Sequence, residues 1–168
     1  MSFIISGTTV RSFADYQDVV DRDQRLFESN EGLDDVIIED ALIRASERLL
    51  VRIRSSDWWK NYQIKRDASL KNDIRLVPPV NAAKIITRRA DFTDLCVYLA
   101  LAEYILPRVA DFSNQESAEV QKIKYYTDKT EKLLQELIEA GDWYDFAGDG
   151  IVNTSDIAPS KLKLVRVR

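Results

Sequence analysis

The residues best suited to chemistry form an acidic stretch near the end of the chain, DFAGDGIVNTSD, from Asp145 to Asp156. Its spacing follows the calcium-loop pattern, with the obligatory glycine at position 6 but an alanine at position 3. Calcium takes about six to eight oxygen ligands, and the stretch offers carboxylates, an amide and a backbone carbonyl. The predicted ligands are Asp145, Asp149, the carbonyl of Ile151, Asn153 and Asp156.

This stretch resembles the loops of dockerin modules, whose pattern D-x-N-x-D-G-x-V-N-x-x-D differs here only at Ala147. Dockerins carry two such loops with a helix after each, whereas this chain has one loop, and Pro159 restricts the helix that could come after it. The alternative interpretation is a glycine-containing aspartate turn that reverses the chain. Calcium is therefore the one cofactor that the sequence suggests.

The rest of the composition argues against an enzyme. The chain has no histidine, which removes histidine acid–base chemistry, Ser-His-Asp and Cys-His pairs and the usual zinc sites. The motifs G-x-S-x-G, G-x-G-x-x-G and the P-loop are absent, and no carboxylate pair is marked out for catalysis. The single cysteine, Cys96, lies in an apolar run and predicts a small buried hydrophobe. No apolar run approaches the roughly 20 residues of a membrane span, so we expect no membrane partner.

Charge is distributed in segments. Residues 1–40 hold 3 basic and 10 acidic side chains, a net charge of −7, and residues 44–89 hold 12 basic and 4 acidic ones, a net charge of +8. Residues 90–144 hold 5 basic and 11 acidic side chains, a net charge of −6. Either solvated helix faces happen to differ in sign, or surfaces of opposite sign steer a partner or neighbouring copies of the chain.

Two tryptophans, Trp58 and Trp59, lie within the basic segment, beside Lys60 and Arg66. Aromatic rings among basic residues can stack on bases and hold phosphates, so residues 44–89 are a candidate nucleic-acid-binding segment. The rings could instead anchor a protein partner, since Trp is frequent at binding hot spots. In the third interpretation they close the end of a helical bundle while the charges face water.

The apolar spacing predicts helices that position these residues. The clearest is an amphipathic helix over residues 33–54, in which Ile38, Leu42, Leu49 and Ile53 share one face. Further helices are placed by their capping signals and breakers. The expected N-caps are Ser12, Ser56, Asn81, Asp91 and the Ser113–Glu116 capping box, and the expected breakers are Pro107 and Gly141.

The predicted class is all-α, a four- to five-helix bundle with extended N- and C-terminal arms. We expect an N-terminal arm over residues 1–11, the bundle domain over 12–144, the calcium-like loop over 145–156 and a basic docking tail over 157–168. The tail alternates apolar and basic residues, as a strand does, and has no sheet of its own to join. Its expected partner-binding residues are Leu162, Leu164, Val165, Arg166, Val167 and Arg168.

A helix in RRADFTDLCVYLALAEYILPRVAD, a connector, a long helix in YYTDKTEKLLQELIEAGDW and a basic tail follow one another along the chain. This order resembles the head-tail connector proteins of tailed bacteriophages, also called adaptor or head-completion proteins. The resemblance spans residues 33–145 in helix order and character. It implies a small helical bundle that assembles as a homo-oligomeric ring, usually dodecameric, beneath the portal protein.

From this resemblance we expect a virion structural protein at the head-tail interface, assembled in the host cytoplasm. Its partners would be the portal protein, the neck or tail proteins and its own copies, and DNA would pass through the ring without sequence-specific contacts. Two alternatives remain open. One is a nucleic-acid-binding helical protein that uses residues 44–89, and the other is a calcium-dependent interaction module.

Overall fold

The computed structural model describes residues 3–6, 9–29, 32–114 and 117–157. The chain is mostly helical, and this part of it contains one two-stranded sheet. The strands are β1 (Ile4–Ser6) and β2 (Thr9–Ser12). The helices are α1 (Tyr16–Arg22), α2 (Gln24–Ser29), α3 (Asp35–Ser55), α4 (Asp57–Arg66), α5 (Arg89–Ala100), α6 (Leu106–Val109), α7 (Ala118–Ala140) and α8 (Thr154–Ile157). Short 3-10 helices cover Ala68–Lys71, Ile74–Leu76 and Ala82–Lys84, and a π-helical segment, Leu101–Ile105, joins α5 to α6.

The chain divides into two compact units. The first unit takes residues 1–49 and 88–135, and the second takes residues 50–87 and 136–168. The long helices α3 and α7 each contribute residues to both units.

Strands β1 and β2 of the first unit form a β-hairpin, where an extended N-terminal arm was expected over residues 1–11. Strands β1 and β2 pair in antiparallel fashion, and Ile5 lies opposite Val10. Phe3 is buried, with its ring centroid 4.8 Å from that of Phe13, which in turn lies 5.6 Å from the ring of Phe92. Burial of these aromatic rings holds the hairpin on the unit.

Helix α1 begins later than predicted, at Tyr16. Its N-cap is Asp15, whose carboxylate accepts the backbone N–H of Asp18, while the Asp18 carboxylate accepts that of Asp15, both at 3.0 Å. This reciprocal capping box satisfies two helix N–H groups. The expected cap, Ser12, instead ends β2 and is buried.

The central helix of the first unit is buried on nearly every side, as expected, but its ends differ from the prediction. It begins at Arg89, after Arg88 in a left-handed conformation with φ of 53°, so Asp91 lies in the first turn and is not the N-cap. Pro107, which was expected to break the helix, lies inside α6, which continues to Val109, and the irregularity falls in the π-helical segment before it. The π-helical segment lies immediately before that proline, and the N–H of Leu106 donates to the carbonyl of Leu101, five residues back. A proline has no N–H and crowds the preceding turn, which accounts for the local widening.

Helix α7 also begins later than predicted. Ser117 takes the capping position, since its Oγ accepts the N–H of Val120 at 3.4 Å, whereas the Ser113 hydroxyl donates to Asp111 at 2.6 Å. Its end is confirmed, because Gly141 follows Ala140 with φ of 60° and donates its N–H to the Leu137 carbonyl. A positive φ of this kind strongly favours glycine.

In the second unit, two predicted caps are confirmed. The Ser56 Oγ accepts the N–H of Trp59 at 3.3 Å, and Asn81 Oδ1 accepts that of Ala83 at 3.0 Å. The stretch ASLKNDIRLVPP, residues 68–79, which was expected to be an irregular connector, contains two short 3-10 helices. Arg54 holds it by donating from Nε and Nη2 to the Val77 carbonyl. Across the described residues, no helix has both the length and the apolar character of a membrane span.

Candidate functional site

Six aromatic rings of the second unit form one cluster beside the acidic loop. Helix α4 supplies Trp58, Trp59 and Tyr62, and the segment after α7 supplies Trp143, Tyr144 and Phe146. Backbone hydrogen bonds hold this later segment in place. The N–H of Ile86 donates to the Trp143 carbonyl at 3.2 Å, and the N–H of Asp145 donates to the Lys84 carbonyl at 2.9 Å.

Phe146 is the centre of this aromatic cluster. Its ring stacks on Tyr62 with the centroids 3.5 Å apart, and it lies 5.4 Å from Trp58, 5.6 Å from Trp59 and 4.7 Å from Tyr144. Phe146 is also residue 2 of the calcium-like stretch. The loop is therefore anchored by a buried aromatic ring at its own start, and the energy of that anchor comes from removing apolar surface from water.

Trp58 and Trp59 are corrected as partner-binding residues. Both indoles are buried, Trp59 with only 2% of its surface exposed, because the cluster covers their faces. They therefore offer no stacking surface to a base and no exposed anchor to a protein partner. The third interpretation, in which the rings are core, agrees with this burial.

The indole nitrogens differ in how they are satisfied. Trp59 Nε1 donates to the Pro78 carbonyl at 2.9 Å, and Trp143 Nε1 donates to the Leu137 carbonyl at 2.7 Å. Trp58 Nε1 is buried without a hydrogen-bond partner among the described residues. A buried donor left in this way costs about 1–3 kcal/mol. Burial of the apolar surface of the same ring offsets this cost.

Asp145 opens the acidic loop and organises its first half. Its carboxylate accepts the backbone N–H of Gly148 at 2.5 Å and that of Gly150 at 2.8 Å. Desolvation acts to raise the pKa of Asp145, but the N–H donors of Gly150, Gly148 and Asp149, with the Lys84 ammonium nearby, lower that pKa overall. Gly148 and Gly150 have φ of 80° and 83°, a region that side chains other than glycine's rarely adopt. The two glycines are thus what lets the backbone wrap around the carboxylate.

The other two predicted carboxylates are also engaged by the loop itself. Asp149 accepts the N–H of Ile151 at 3.0 Å and the amide of Asn153 at 2.8 Å. Asp156 is buried and accepts the N–H of Asn153 at 2.9 Å, at the start of the short helix α8. Each acidic side chain therefore bonds to a donor two to five residues away, which is the bonding of an aspartate turn.

The carboxylates predicted to bind calcium are each bonded within the loop. The described residues contain no group of three or more acidic, histidine or cysteine side chains that could hold a metal ion. The carboxylates of Asp145, Asp149 and Asp156 face separate backbone donors, and the Asn153 amide is turned toward Asp149 as a donor. Among the two sequence interpretations, this geometry favours the turn, and calcium binding stays a prediction.

The predicted docking residues of the tail lie outside the described residues. These are Leu162, Leu164, Val165, Arg166, Val167 and Arg168, all in the stretch from 158 onward.

Sequence reasoning missed a buried polar cluster in the first unit. Ser46 Oγ accepts the N–H of Phe13 at 3.0 Å, donates to the Leu42 carbonyl at 2.9 Å and lies 3.3 Å from the Cys96 sulfur. Burial raises the pKa of the Cys96 thiol to about 11, since the hydrogen bonds from neighbouring hydroxyls only partly offset desolvation. The predicted burial of Cys96 is confirmed, and such a thiol is a poor nucleophile. The signal was a serine next to the apolar stripe of α3.

Three of the twelve basic side chains of residues 44–89, Arg54, Lys60 and Arg75, line a groove in the second unit. The groove has a volume of about 350 Å³. Its lining includes three cationic side chains and the buried Val77. We call it the cationic groove, and it is lined by Val51, Arg54, Ser55, Lys60, Arg75 and Val77. The sequence pointed to the segment, but only the fold brings these side chains together.

Comparison of the chain with protein-family models, with curated proteins and with solved structures finds no match. The function proposed for the chain therefore rests on its helix order, its surfaces and the bonding of its polar side chains.

Proposed function

We propose that the chain is a virion structural adaptor that joins the portal of a tailed bacteriophage to its neck or tail. The observation that carries the proposal is the order and character of the long helices. An amphipathic α3 comes first, then a buried and interrupted α5–α6, then a long amphipathic α7. This is the order on which the resemblance to connector proteins rests.

In this proposal the helices pack as a four- to five-helix bundle, and the copies form a ring, usually of twelve, around the DNA channel. The C-terminal tail, residues 157–168, docks on the portal. Assembly would take place in the host cytoplasm and the protein would remain at the head-tail interface of the virion.

The use of the reactive side chains supports a structural role. The carboxylates of Asp145, Asp149 and Asp156 are bonded to backbone donors, and the Cys96 thiol is buried with its pKa raised to about 11. Groups engaged in this way stabilise local structure, and a catalytic acid, base or nucleophile must instead reach a substrate. We therefore propose that the chain acts by binding partners through its surfaces and is not an enzyme.

The test is capture of the chain by the portal ring encoded in the same genome. We expect the full chain to bind the ring and a chain ending at Ile157 to lose binding. In a matched variant Leu162, Leu164, Val165 and Val167 become serine while the basic residues stay, so that apolar and charged contributions separate. A full chain that does not bind the portal would overturn the proposal. A shortened chain that binds as well as the full chain would overturn the docking role of the tail.

The cationic groove favours one alternative, a nucleic-acid-binding protein. Since the rings of Trp58 and Trp59 are buried, binding would be made through phosphates alone and without sequence preference. Its affinity should fall steeply with salt, in proportion to the number of phosphates contacted. A binding constant that hardly changes between low and high salt would dismiss this alternative.

A further inference from the structure

The cationic groove offers both charge and apolar surface. Val51 on its wall is 58% exposed, and Leu76, next to its lining residues, is 65% exposed. Arg54 is tied to backbone carbonyls of the connector, and Arg75 is paired with Asp73 at 2.9 Å. The Lys60 ammonium forms no ion pair with any described residue. The groove is therefore suited to a ligand that brings a carboxylate beside an aliphatic side chain.

An exposed patch in the first unit carries the opposite charge. It lies at the start of α3 and consists of Asp35, Val36, Glu39 and Asp40, which we call the acidic knob. All four are exposed, and Val36 has 69% of its surface in water. Glu39 and Asp40 follow Val36 by three and four residues and so flank it on the same helix face. Asp40 is paired with Arg44 at 3.0 Å, while Glu39 forms no ion pair with any described residue.

We infer that the acidic knob of one copy docks in the cationic groove of a second copy of this chain. The two patches are opposite in charge, and each adds an exposed valine, Val36 beside carboxylates in one and Val51 beside cationic side chains in the other. In the contact Val36 would lie against Val51, and Glu39 would pair with Lys60. Such complementary potentials favour association and fix its register.

The contact joins two different patches, so it is heterologous. Each copy keeps one knob and one groove free for further copies, and repeated contacts of this kind form a ring or an open filament. The inference deepens the proposed function, because it names the surfaces by which a ring adaptor would meet its own copies. The patches are small, so a single contact should be weak and sensitive to salt.

Two charge reversals test the contact. Glu39→Lys reverses the knob charge that forms no ion pair with a described residue. Lys60→Glu does the same in the groove. At low salt the wild-type chain should self-associate, measured by sedimentation velocity over a range of concentrations, and each reversal should weaken the association about tenfold or more. The matched controls are Asp128→Lys on α7 and Lys65→Glu on α4, both at exposed positions outside the two patches. Neither control should change the association.

Restoring the complementary pair identifies which surfaces meet. The double variant Glu39→Lys with Lys60→Glu should self-associate again, since its knob and groove have exchanged charge. An equimolar mixture of the two single variants should also recover association, because the intact knob of one fits the intact groove of the other and the reversed knob likewise meets the reversed groove. Val36→Ser should weaken the wild-type association without reversing any charge.

Several outcomes would overturn the inference. A wild-type chain that stays monomeric at low salt would do so, whether or not an oligonucleotide binds its groove. So would single variants that associate normally, or a double variant and a mixture that fail to recover. The portal capture is independent of these measurements. If the chain binds the portal but does not self-associate, the proposed function stands and this contact is wrong. If the chain self-associates but does not bind the portal, only the contact stands.

Discussion

The acidic loop of residues 145–156 and the buried cluster around Ser46 contain the polar groups that most resemble reactive sites. In both, a side-chain oxygen accepts a backbone N–H, but the partners differ in sequence distance. Asp145 bonds Gly148 and Gly150, three and five residues away, whereas Ser46 bonds Phe13, 33 residues away. The difference teaches that a short motif can be recognised as a turn from its spacing, while a long-range polar contact leaves little trace in the sequence.

The largest expected effect concerns what anchors the loop. If Phe146 and not an ion holds it, Phe146→Ala should reduce the free energy of unfolding by about 3–5 kcal/mol, the usual cost of emptying a buried aromatic site. Phe146 is 5% exposed and contacts four other rings. Urea unfolding measures the change.

Phe112→Ala is the matched control, because Phe112 is 61% exposed and should lose little stability. Equal, small losses for the two variants would mean that the loop does not depend on its aromatic anchor.

The second effect concerns the buried cluster. Ser46→Ala leaves the Phe13 N–H without its acceptor in the interior, and we expect a loss of about 1–3 kcal/mol in the free energy of unfolding. Ser55→Ala on the same helix is the control, since its hydroxyl bonds only the Arg52 carbonyl at an exposed position. If both serines cost the same, the contact between Ser46 and Phe13 contributes nothing specific.

A third, smaller effect tests the turn itself. Gly150→Ala places a side chain at φ of 83° with no atom within 4 Å of the new Cβ, so the expected cost of about 1–2 kcal/mol comes from the backbone alone. Gly32→Ala meets equally open space without a positive φ and should be neutral or slightly stabilising. Thermal unfolding of the pair measures the difference. A neutral Gly150→Ala variant would show that the loop does not hold this conformation.

The pH dependence of stability should show the contribution of Asp145 to the loop. The pKa of Asp145 is lowered in the folded chain, so its contribution to stability is present above its ordinary pKa of 3.8 and is lost as the pH falls through the lowered value. Asp145→Asn should therefore flatten the acid side of a melting temperature curve measured between pH 2 and 6 (roughly the window in which carboxyl groups titrate). An unchanged acid side would remove Asp145 from the account of the loop.

The smallest expected effect is that of calcium. If the loop can rearrange its carboxylates around an ion, titration should release a small heat, and Asp149→Ala should abolish it, because Ala147 already leaves the ligand set incomplete. Magnesium is the control ion, since it demands a smaller, near-octahedral site. Heat that survives in Asp149→Ala would place the ion elsewhere, and no heat in the wild type would leave the loop as an aspartate turn.

The parts that sequence reasoning predicted well are local. The helix over residues 33–54 is observed at Asp35–Ser55, and the caps at Ser56 and Asn81 and the stop at Gly141 are confirmed, because each depends on neighbours a few residues away. The errors have local causes too. Ser12 and Ser113 are good capping residues, but Asp15 and Ser117 compete within a turn of them, and burial of Ser12 removes it from the choice.

The sequence alone determined the amphipathic long helices, and the spacing of its acidic and glycine residues offered a turn around Asp145 as one of two interpretations of the loop. The tertiary structure decided the fate of Trp58 and Trp59. Their neighbours Trp143 and Phe146 come more than 80 positions later, and only packing shows that these rings close over the indoles. The tertiary structure also brings three basic side chains of residues 44–89 together at the cationic groove. It packs Phe3 of the hairpin against Phe13, where an extended arm was expected. Local bonding is encoded within a few residues, whereas burial depends on which distant apolar surfaces meet.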